Sequence, residues 1–389
     1  MRDVFYGTLA LAIVIGCTMG GHFLAQYKSL WGDEICSQVD SIEKNTYGQI
    51  IAGEIREGNG FPLFYLIQKV FCDLISYHSP RSWSPGQYPD DPYSNMVLRI
   101  LPLMWMSSAI ALIFYFFCHF YGLWTGLYSL AVAMSSFMVW AYGFEARPYS
   151  LWFLLTTIQT LTLLMFFKGK SFEALWKGLA IIHCLLALTI SLSLIQVTAM
   201  SMLTWFLKYR DLRKYIWLWL VPMGISIFYS VHSPKLHFYF VQGFMALIGA
   251  SLPQDRLLIF VLFGLYWIFS WGVLRGLWQD RWLKGLSVPD RYMSGTYGAL
   301  IIMVLAGFFG VLTLLKLTEI TNIQEGFQVS NRYFIPIAPI GIIGVTLFSY
   351  YLLSVKPWCW RIVILFVLLV LLVWRIFRTM VLVRSLHMF

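Results

Sequence analysis

Long apolar stretches separated by short polar connections dominate this chain. A transmembrane helix needs about 20 mostly apolar residues to cross the ~30 Å hydrocarbon core of a bilayer. By that criterion the pattern predicts an all-α polytopic membrane protein in which residues 1–389 form one transmembrane domain. About eleven spans are expected, at residues 4–25, 97–118, 124–141, 149–167, 177–193, 194–207, 215–231, 256–274, 295–315, 333–353 and 359–376.

Residues 61–77 are also apolar, but Gln68, Lys69 and Asp73 interrupt them. This pattern is typical of a helix lying in the membrane interface rather than crossing the bilayer. We therefore assign it to a large first loop, residues 27–96, that contains interfacial helices. The first span reads as an uncleaved signal anchor, because its apolar run continues past Cys17.

Composition and charge support this class and indicate an orientation. Hydrophobic residues make up 59% of the chain and charged residues only 12%, against about 25% charged in soluble domains. The mean hydropathy is +0.71. The net charge of +10 comes from Lys and Arg in short loops, which indicates positive-inside topology rather than nucleic-acid binding.

With a cytoplasmic N-terminus, four basic clusters fall inside, and the C-terminal cluster is the one cluster that falls outside. We therefore expect a multi-pass protein of the cell inner (plasma) membrane, with the first loop on the periplasmic or extracellular face. The clusters that fall inside are Lys168, Lys170 and Lys177, then Lys208, Arg210, Arg213 and Lys214, then Arg275, Arg281, Lys284 and Arg291, and finally Lys356 and Arg361; the exceptions are Arg375, Arg378 and Arg384.

Acidic residues are concentrated in the first loop, which holds nine of the 18 in the chain. Asp33 and Glu34 stand directly after the first span, where partial desolvation raises a carboxyl pKa and makes the group a better base. A pair of solvated loop acids is the alternative interpretation.

Cationic residues at the outer ends of other spans run against the positive-inside trend. Lys28 precedes the acidic pair, Arg147 lies in the turn before the span at 149–167, and Arg332 with Tyr333 lies at the mouth of a later span. Any one of them could contact a lipid headgroup. Several converging on one loop favour a site for an anionic ligand, since Arg binds phosphate with two parallel hydrogen bonds.

The sequence contains no clear motif for a metal ion or another cofactor. The histidines and cysteines show no metal-binding spacing, and a Cys36–Cys72 disulfide in the first loop is a minority alternative. Adjacent Asp33 and Glu34 could bind a divalent cation, but we favour a mechanism without a metal or other cofactor.

Four short motifs in the chain resemble, in their order, those of a known enzyme family. The motifs are "GNGFPLFY" at 58–65, "LRILPL" at 98–103, "EARPYSL" at 145–151 and "NRYFIPIAP" at 331–339. Together with the early Asp-Glu pair they resemble GT-C glycosyltransferases of the protein mannosyltransferase and aminoarabinose transferase group, which are similar to glycosyltransferase family 39. The chain departs from the family pattern at Gly60, where the family usually has Lys or His, and at Phe61, which replaces the first Pro of the family's segment. We also expect no large soluble C-terminal domain, which some relatives have.

The resemblance implies a GT-C fold and transfer of a sugar from a polyprenyl-phosphate-sugar donor on the extracytoplasmic side. The acceptor would be a glycan, a lipid or a protein, and no nucleic acid is involved. The implied catalytic residues are Asp33, as base or acceptor-orienting group, and its neighbour Glu34. The implied donor phosphate ligands are Arg332, Tyr333, Arg147 and Lys28, and the substrate cavity is expected to include Tyr65, Glu145 and Tyr149.

Two other functions use the same features. A transporter or flippase of lipid-linked sugars would guide a phosphate headgroup with these cations, but it predicts an internal repeat and ionisable residues deep within several spans, which the sequence lacks. A scaffold subunit would leave the external acids unclustered and dispensable.

Overall fold

A computed structural model of the chain describes residues 2–55, 60–80, 91–168, 172–206, 212–232, 293, 295–305, 307–308 and 334–385. The described residues form helices and no sheet, with a single isolated β-bridge between Gly60 and Ile190. An all-α architecture is therefore confirmed for this part of the chain.

We number the described helices in chain order. They are α1 (Arg2–Ala25), α2 (Gly32–Cys36), α3 (Tyr47–Ala52), α4 (Pro62–Leu74), α5 (Pro92–Val97), α6 (Ile100–Tyr121), α7 (Leu123–Met134), α8 (Phe137–Tyr142), α9 (Tyr149–Phe167), α10 (Phe172–Ala187), α11 (Ser193–Phe206), α12 (Leu212–Tyr215), α13 (Val221–His232), α14 (Gly295–Leu305), α15 (Ile337–Val355) and α16 (Trp358–Ser385). Two π-helical segments, Ser37–Glu43 and Ile216–Leu220, follow α2 and α12.

In the part of the chain that the structure describes, six helical stretches are long and apolar enough to cross a membrane. They are Arg2–Ala25, Pro92–Tyr121, Tyr149–Phe167, Arg213–His232, Ile337–Ser354 and Trp358–Val381. Three shorter apolar helices occur at Leu123–Met134, Leu175–Ala187 and Gly295–Leu305. A membrane-spanning helical protein is thus supported, while the predicted span at 256–274 lies outside the described residues and the total of about eleven stays a prediction.

Helix α6 lies at the centre of the packing, with α1, α7 and α9 against it, while α15 packs on α7 and α9. The first and last long helices are peripheral, since only 6% of the most apolar stretch of each is buried. Apolar side chains that face outward along the whole length of a helix need a lipid environment. The bilayer therefore accounts for the exposed faces of α1 and α16.

Contacts between helix ends show which ends lie together. At one end of the bundle, His119 Nδ1 at the end of α6 lies 2.8 Å from Asp3 Oδ1 at the start of α1. Lys168 Nζ, after α9, lies 4.3 Å from the centre of the Tyr121 ring, and the Tyr121 hydroxyl is 3.5 Å from that of Tyr351 near the end of α15. We call this the Tyr121 end.

The first loop covers the opposite end, which we call the loop end. Phe61 N–H donates to the Thr189 carbonyl in the turn between α10 and α11 at 3.1 Å. The Tyr229 hydroxyl near the end of α13 donates to the Ile51 carbonyl at 3.0 Å. The end of α1 and the beginnings of α6 and α9 also meet at the loop end.

Helix α4 forms within the stretch predicted to lie in the interface. Phe61 is extended and Pro62 occupies the first turn, where its missing N–H costs no hydrogen bond. With 13 residues, α4 is too short to cross a bilayer. It packs against α3 and the Ser37–Glu43 segment, and Lys69 Nζ donates to the Ile42 carbonyl at 3.2 Å. The first loop is thus held together by its own polar contacts.

Candidate functional site

The two acids that follow α1 have different environments. Glu34 has no exposed surface, and Arg99 binds its carboxylate with two hydrogen bonds, from Nε to Oε1 at 3.0 Å and from Nη2 to Oε2 at 2.7 Å. The carboxylate also accepts from Trp31 N–H at 3.2 Å and from Ala146 N–H at 2.7 Å. Glu34 therefore joins α2 to the start of α6 and to the turn before α9.

The remaining N–H groups of Arg99 donate to backbone carbonyls at the end of α1 and just after it. Arg99 donates to the Ala25 carbonyl at 3.1 Å and to the Ser29 carbonyl at 3.2 Å, and it also binds the Lys28 carbonyl. These bonds satisfy carbonyls that a helix end leaves without an intrahelical partner. Arg99 is not among the predicted site residues, although it is the one charged residue in the apolar span predicted at 97–118.

The pKa of Glu34 is lowered from its ordinary value. Burial by itself raises it, but the Arg99 charge and hydrogen bonds, the Lys28 charge and the Ala146 N–H outweigh burial. Glu34 is thus an ionised anchor. Neither carboxylate oxygen of Glu34 is accessible for the catalytic role predicted for this residue. The geometry instead makes Glu34 a residue that supports the site.

Asp33, in contrast, reaches the surface of the site. Its side chain is 41% exposed, and its Oδ2 lies 2.6 Å from Nη1 of Arg147, whose side chain is 12% exposed. The Arg147 guanidinium is 5.6 Å from the centre of the Trp31 ring and 5.0 Å from that of Tyr149. The structure thus brings Asp33, Arg147 and Tyr149 together at the loop end.

Lys28 and Glu145 lie beside this pair. Lys28 Nζ is 5.3 Å from the centre of the Phe144 ring. Burial lowers the Lys28 pKa, and the nearby Glu34 and Glu145 partly restore it, whereas Arg99 lowers it further. Glu145 is buried, and burial raises its pKa to about 7 against the opposing effect of Lys28.

Tyr65, predicted to line the cavity, is fully buried on α4. A Cβ atom added to Gly60 would overlap the Tyr65 ring and hydroxyl. Tyr65 therefore fills the space that a side chain at position 60 would need.

Three other features were considered from the sequence: two phosphate ligands, a metal ion and a disulfide. Arg332 and Tyr333 lie outside the described residues, so their role stays a prediction. Among the described residues, no group of three His, Cys, Asp or Glu side chains could hold a metal ion. Cys36 and Cys72 are free thiols, so the structure does not contain the disulfide kept as an alternative.

The site combines an accessible carboxylate–guanidinium pair with a second, buried pair beneath it. An accessible carboxylate can orient or deprotonate a hydroxyl group, and the neighbouring Arg147 and Lys28 can bind an anion. Comparison of this chain with protein-family models, curated proteins and solved structures finds no match.

Proposed function

We propose that this protein is an integral membrane glycosyltransferase that transfers a sugar from a polyprenyl-phosphate-linked donor to an acceptor on the extracytoplasmic face. The observation that carries the proposal is the partly exposed Asp33–Arg147 pair, at 2.6 Å, at the loop end. Lys28 lies close to Glu34 and Glu145 in the same cluster. A carboxylate and two cations are the groups that this reaction requires.

Each of these groups has a chemical role in the proposed sugar transfer. The leaving group is a lipid phosphate, which carries negative charge and is stabilised by cations rather than by a strong acid. Arg147 and Lys28 are placed to supply that charge, and Arg332 with Tyr333 would extend the same role. The acceptor hydroxyl needs a base or an orienting acceptor within hydrogen-bond reach, and Asp33 has the exposure for it.

The distribution of basic residues supports an extracytoplasmic site. Lys168 and Lys356 lie at the Tyr121 end, away from Asp33, at the ends of α9 and α15 respectively. Positive loops favour the cytoplasm, so the loop end would face the periplasm or the cell exterior. A polyprenyl-phosphate-sugar could reach it from the bilayer, and a glycan, lipid or protein acceptor from the aqueous side.

Mass spectrometry of the lipids that copurify with the protein tests the reaction class. We expect a polyprenyl phosphate with the wild-type protein and an increased share of its sugar-loaded form with Asp33→Asn, because the donor would bind without turning over. Asp40→Asn is the matched control, since Asp40 pairs with Lys44 elsewhere in the same loop, and it should give the wild-type lipid profile. Copurification of phospholipids alone, in all three proteins, would contradict the proposal.

A further inference from the structure

Glu145 is a buried acid that the proposed reaction does not use. Its side chain belongs to a residue only 7% exposed, and its Oε2 has no hydrogen-bond partner among the described residues. Buried carboxyl oxygens in proteins almost always have a partner. An unpaired one beside cations therefore needs an explanation.

Charged groups from three other elements act on Glu145. Lys28 follows α1, Glu34 belongs to α2 and Arg99 stands at the start of α6, while Arg147 is two residues away in the same turn. Asp33 of α2 pairs with Arg147.

Among the residues that the structure describes, the charges in this cluster balance except at Lys28. Three cations (Lys28, Arg99 and Arg147) face two paired anions, since Glu34 neutralises Arg99 and Asp33 neutralises Arg147. The cluster therefore has a charge of +1 when Glu145 is protonated and zero when Glu145 is ionised. Glu145 thus decides whether a positive charge is left for an incoming anion.

We propose that Glu145 is a positioning residue that couples anion binding to proton uptake. When the phosphodiester group of the donor binds at Lys28 and Arg147, Glu145 takes up one proton from solvent, and it releases that proton when the lipid product leaves. This inference rests on the proposed function. Because burial raises the Glu145 pKa to about 7, the exchange would occur near neutral pH.

Binding of a non-titrating anion over a range of pH tests the coupling. The probe is decyl methyl phosphate, a single-chain phosphodiester that stays ionised from pH 5.5 to 9, and its Kd is measured by calorimetry on the full-length protein in detergent. We expect the wild-type Kd to be constant below pH 6.5 and to rise about tenfold by pH 8.5, within the limit of tenfold per pH unit for one proton.

Three variants test whether Glu145, rather than another titrating group, causes the pH dependence of Kd. Glu145→Gln should bind at pH 8.5 as tightly as the wild type binds at pH 6, with a flat pH profile. Lys28→Arg should keep the pH dependence, because arginine does not titrate in this range. Glu173→Gln removes an exposed carboxylate paired with Lys214 near the start of α10, and it should reproduce the wild-type profile.

A wild-type Kd independent of pH, a pH dependence that persists in Glu145→Gln, or a flat profile in Lys28→Arg would each overturn the inference while leaving the proposed function intact. Absence of binding at every pH in wild type and Glu145→Gln would overturn the anion site, and this inference with it.

Discussion

Glu34 and Arg99 form a fully buried ion pair across 65 residues of sequence, with both side chains 0% exposed. The pair connects the segment that carries Asp33 to the start of α6 and, through Ala146 N–H, to the turn that carries Arg147. The buried Glu34–Arg99 pair therefore fixes the relative positions of the two segments that carry the accessible Asp33–Arg147 pair.

Breaking the buried pair should strongly destabilise the protein. Glu34→Gln leaves Arg99 without its counter-charge, and loss of one partner of a buried pair costs about 3–5 kcal/mol. We expect a clearly lower thermal unfolding midpoint in detergent. Lys44→Met is the control, because Lys44–Asp40 is a pair in which Lys44 is 55% exposed, and such pairs contribute about 0–1 kcal/mol. Equal midpoints for both variants would contradict an anchoring role for Glu34.

The same pair makes stability sensitive to acid. The pKa of Glu34 is lowered by folding, so its stabilising effect is fully present above its ordinary pKa of 4.5 and is lost as pH falls through the lowered value. We expect the difference in unfolding midpoint between wild type and Glu34→Gln to shrink as pH falls below 4.5. A difference that stays constant down to pH 3 would show that Glu34 does not act through its charge.

Glu145 should make the protein less stable as pH rises, which is opposite to the effect of Glu34. Its pKa rises on folding to about 7, so the folded state favours the protonated form and stability is lost as pH rises from 4.5 through 7. Glu145→Gln should therefore match the wild-type unfolding midpoint at pH 4.5 and exceed it at pH 8. A lower midpoint than wild type at pH 8 would contradict the burial of an unpaired carboxylate at this position.

Gly60 should not tolerate a side chain. An added Cβ would overlap the Tyr65 ring and hydroxyl, and Tyr65 has no exposed surface into which it could move. Gly60→Ala should lower the unfolding midpoint and Gly48→Ala should not, because a Cβ at Gly48 has its nearest neighbour 4.0 Å away. Equal stability of the two alanine variants would show that Tyr65 relocates at little cost.

A polar contact inside the bundle should also contribute to stability. The Trp152 Nε1–H group on α9 donates to Gln196 Oε1 on α11 at 3.0 Å, and Gln196 Nε2 donates to Thr156 Oγ1 at 2.8 Å. Interhelical hydrogen bonds in membrane proteins average about 0.6 kcal/mol and reach about 1.7. Gln196→Leu should lose stability in that range in denaturant titration. Thr162→Val should lose less, because the Thr162 hydroxyl donates to the Ile158 carbonyl of its own helix.

Apolar patterning and charge placement were enough to predict the helical, membrane-spanning class. They also predict one site for Asp33, Arg147 and Tyr149, residues that the structure brings close together. They could not assign separate roles to Asp33 and Glu34, because neighbours in sequence are equally close to the membrane surface. Their difference arises from Arg99, 65 residues later. The burial of Glu145 likewise depends on packing between elements distant in sequence.

The rate at which the purified protein transfers the sugar of its copurified lipid donor to water, as the acceptor hydroxyl, and leaves the polyprenyl phosphate tests the central role of Asp33 most directly. General-base assistance contributes about 10²- to 10⁴-fold, so Asp33→Asn should lose at least a hundredfold in rate at unchanged unfolding midpoint, while Asp40→Asn should turn over at the wild-type rate. Wild-type turnover by Asp33→Asn would contradict the proposed active site.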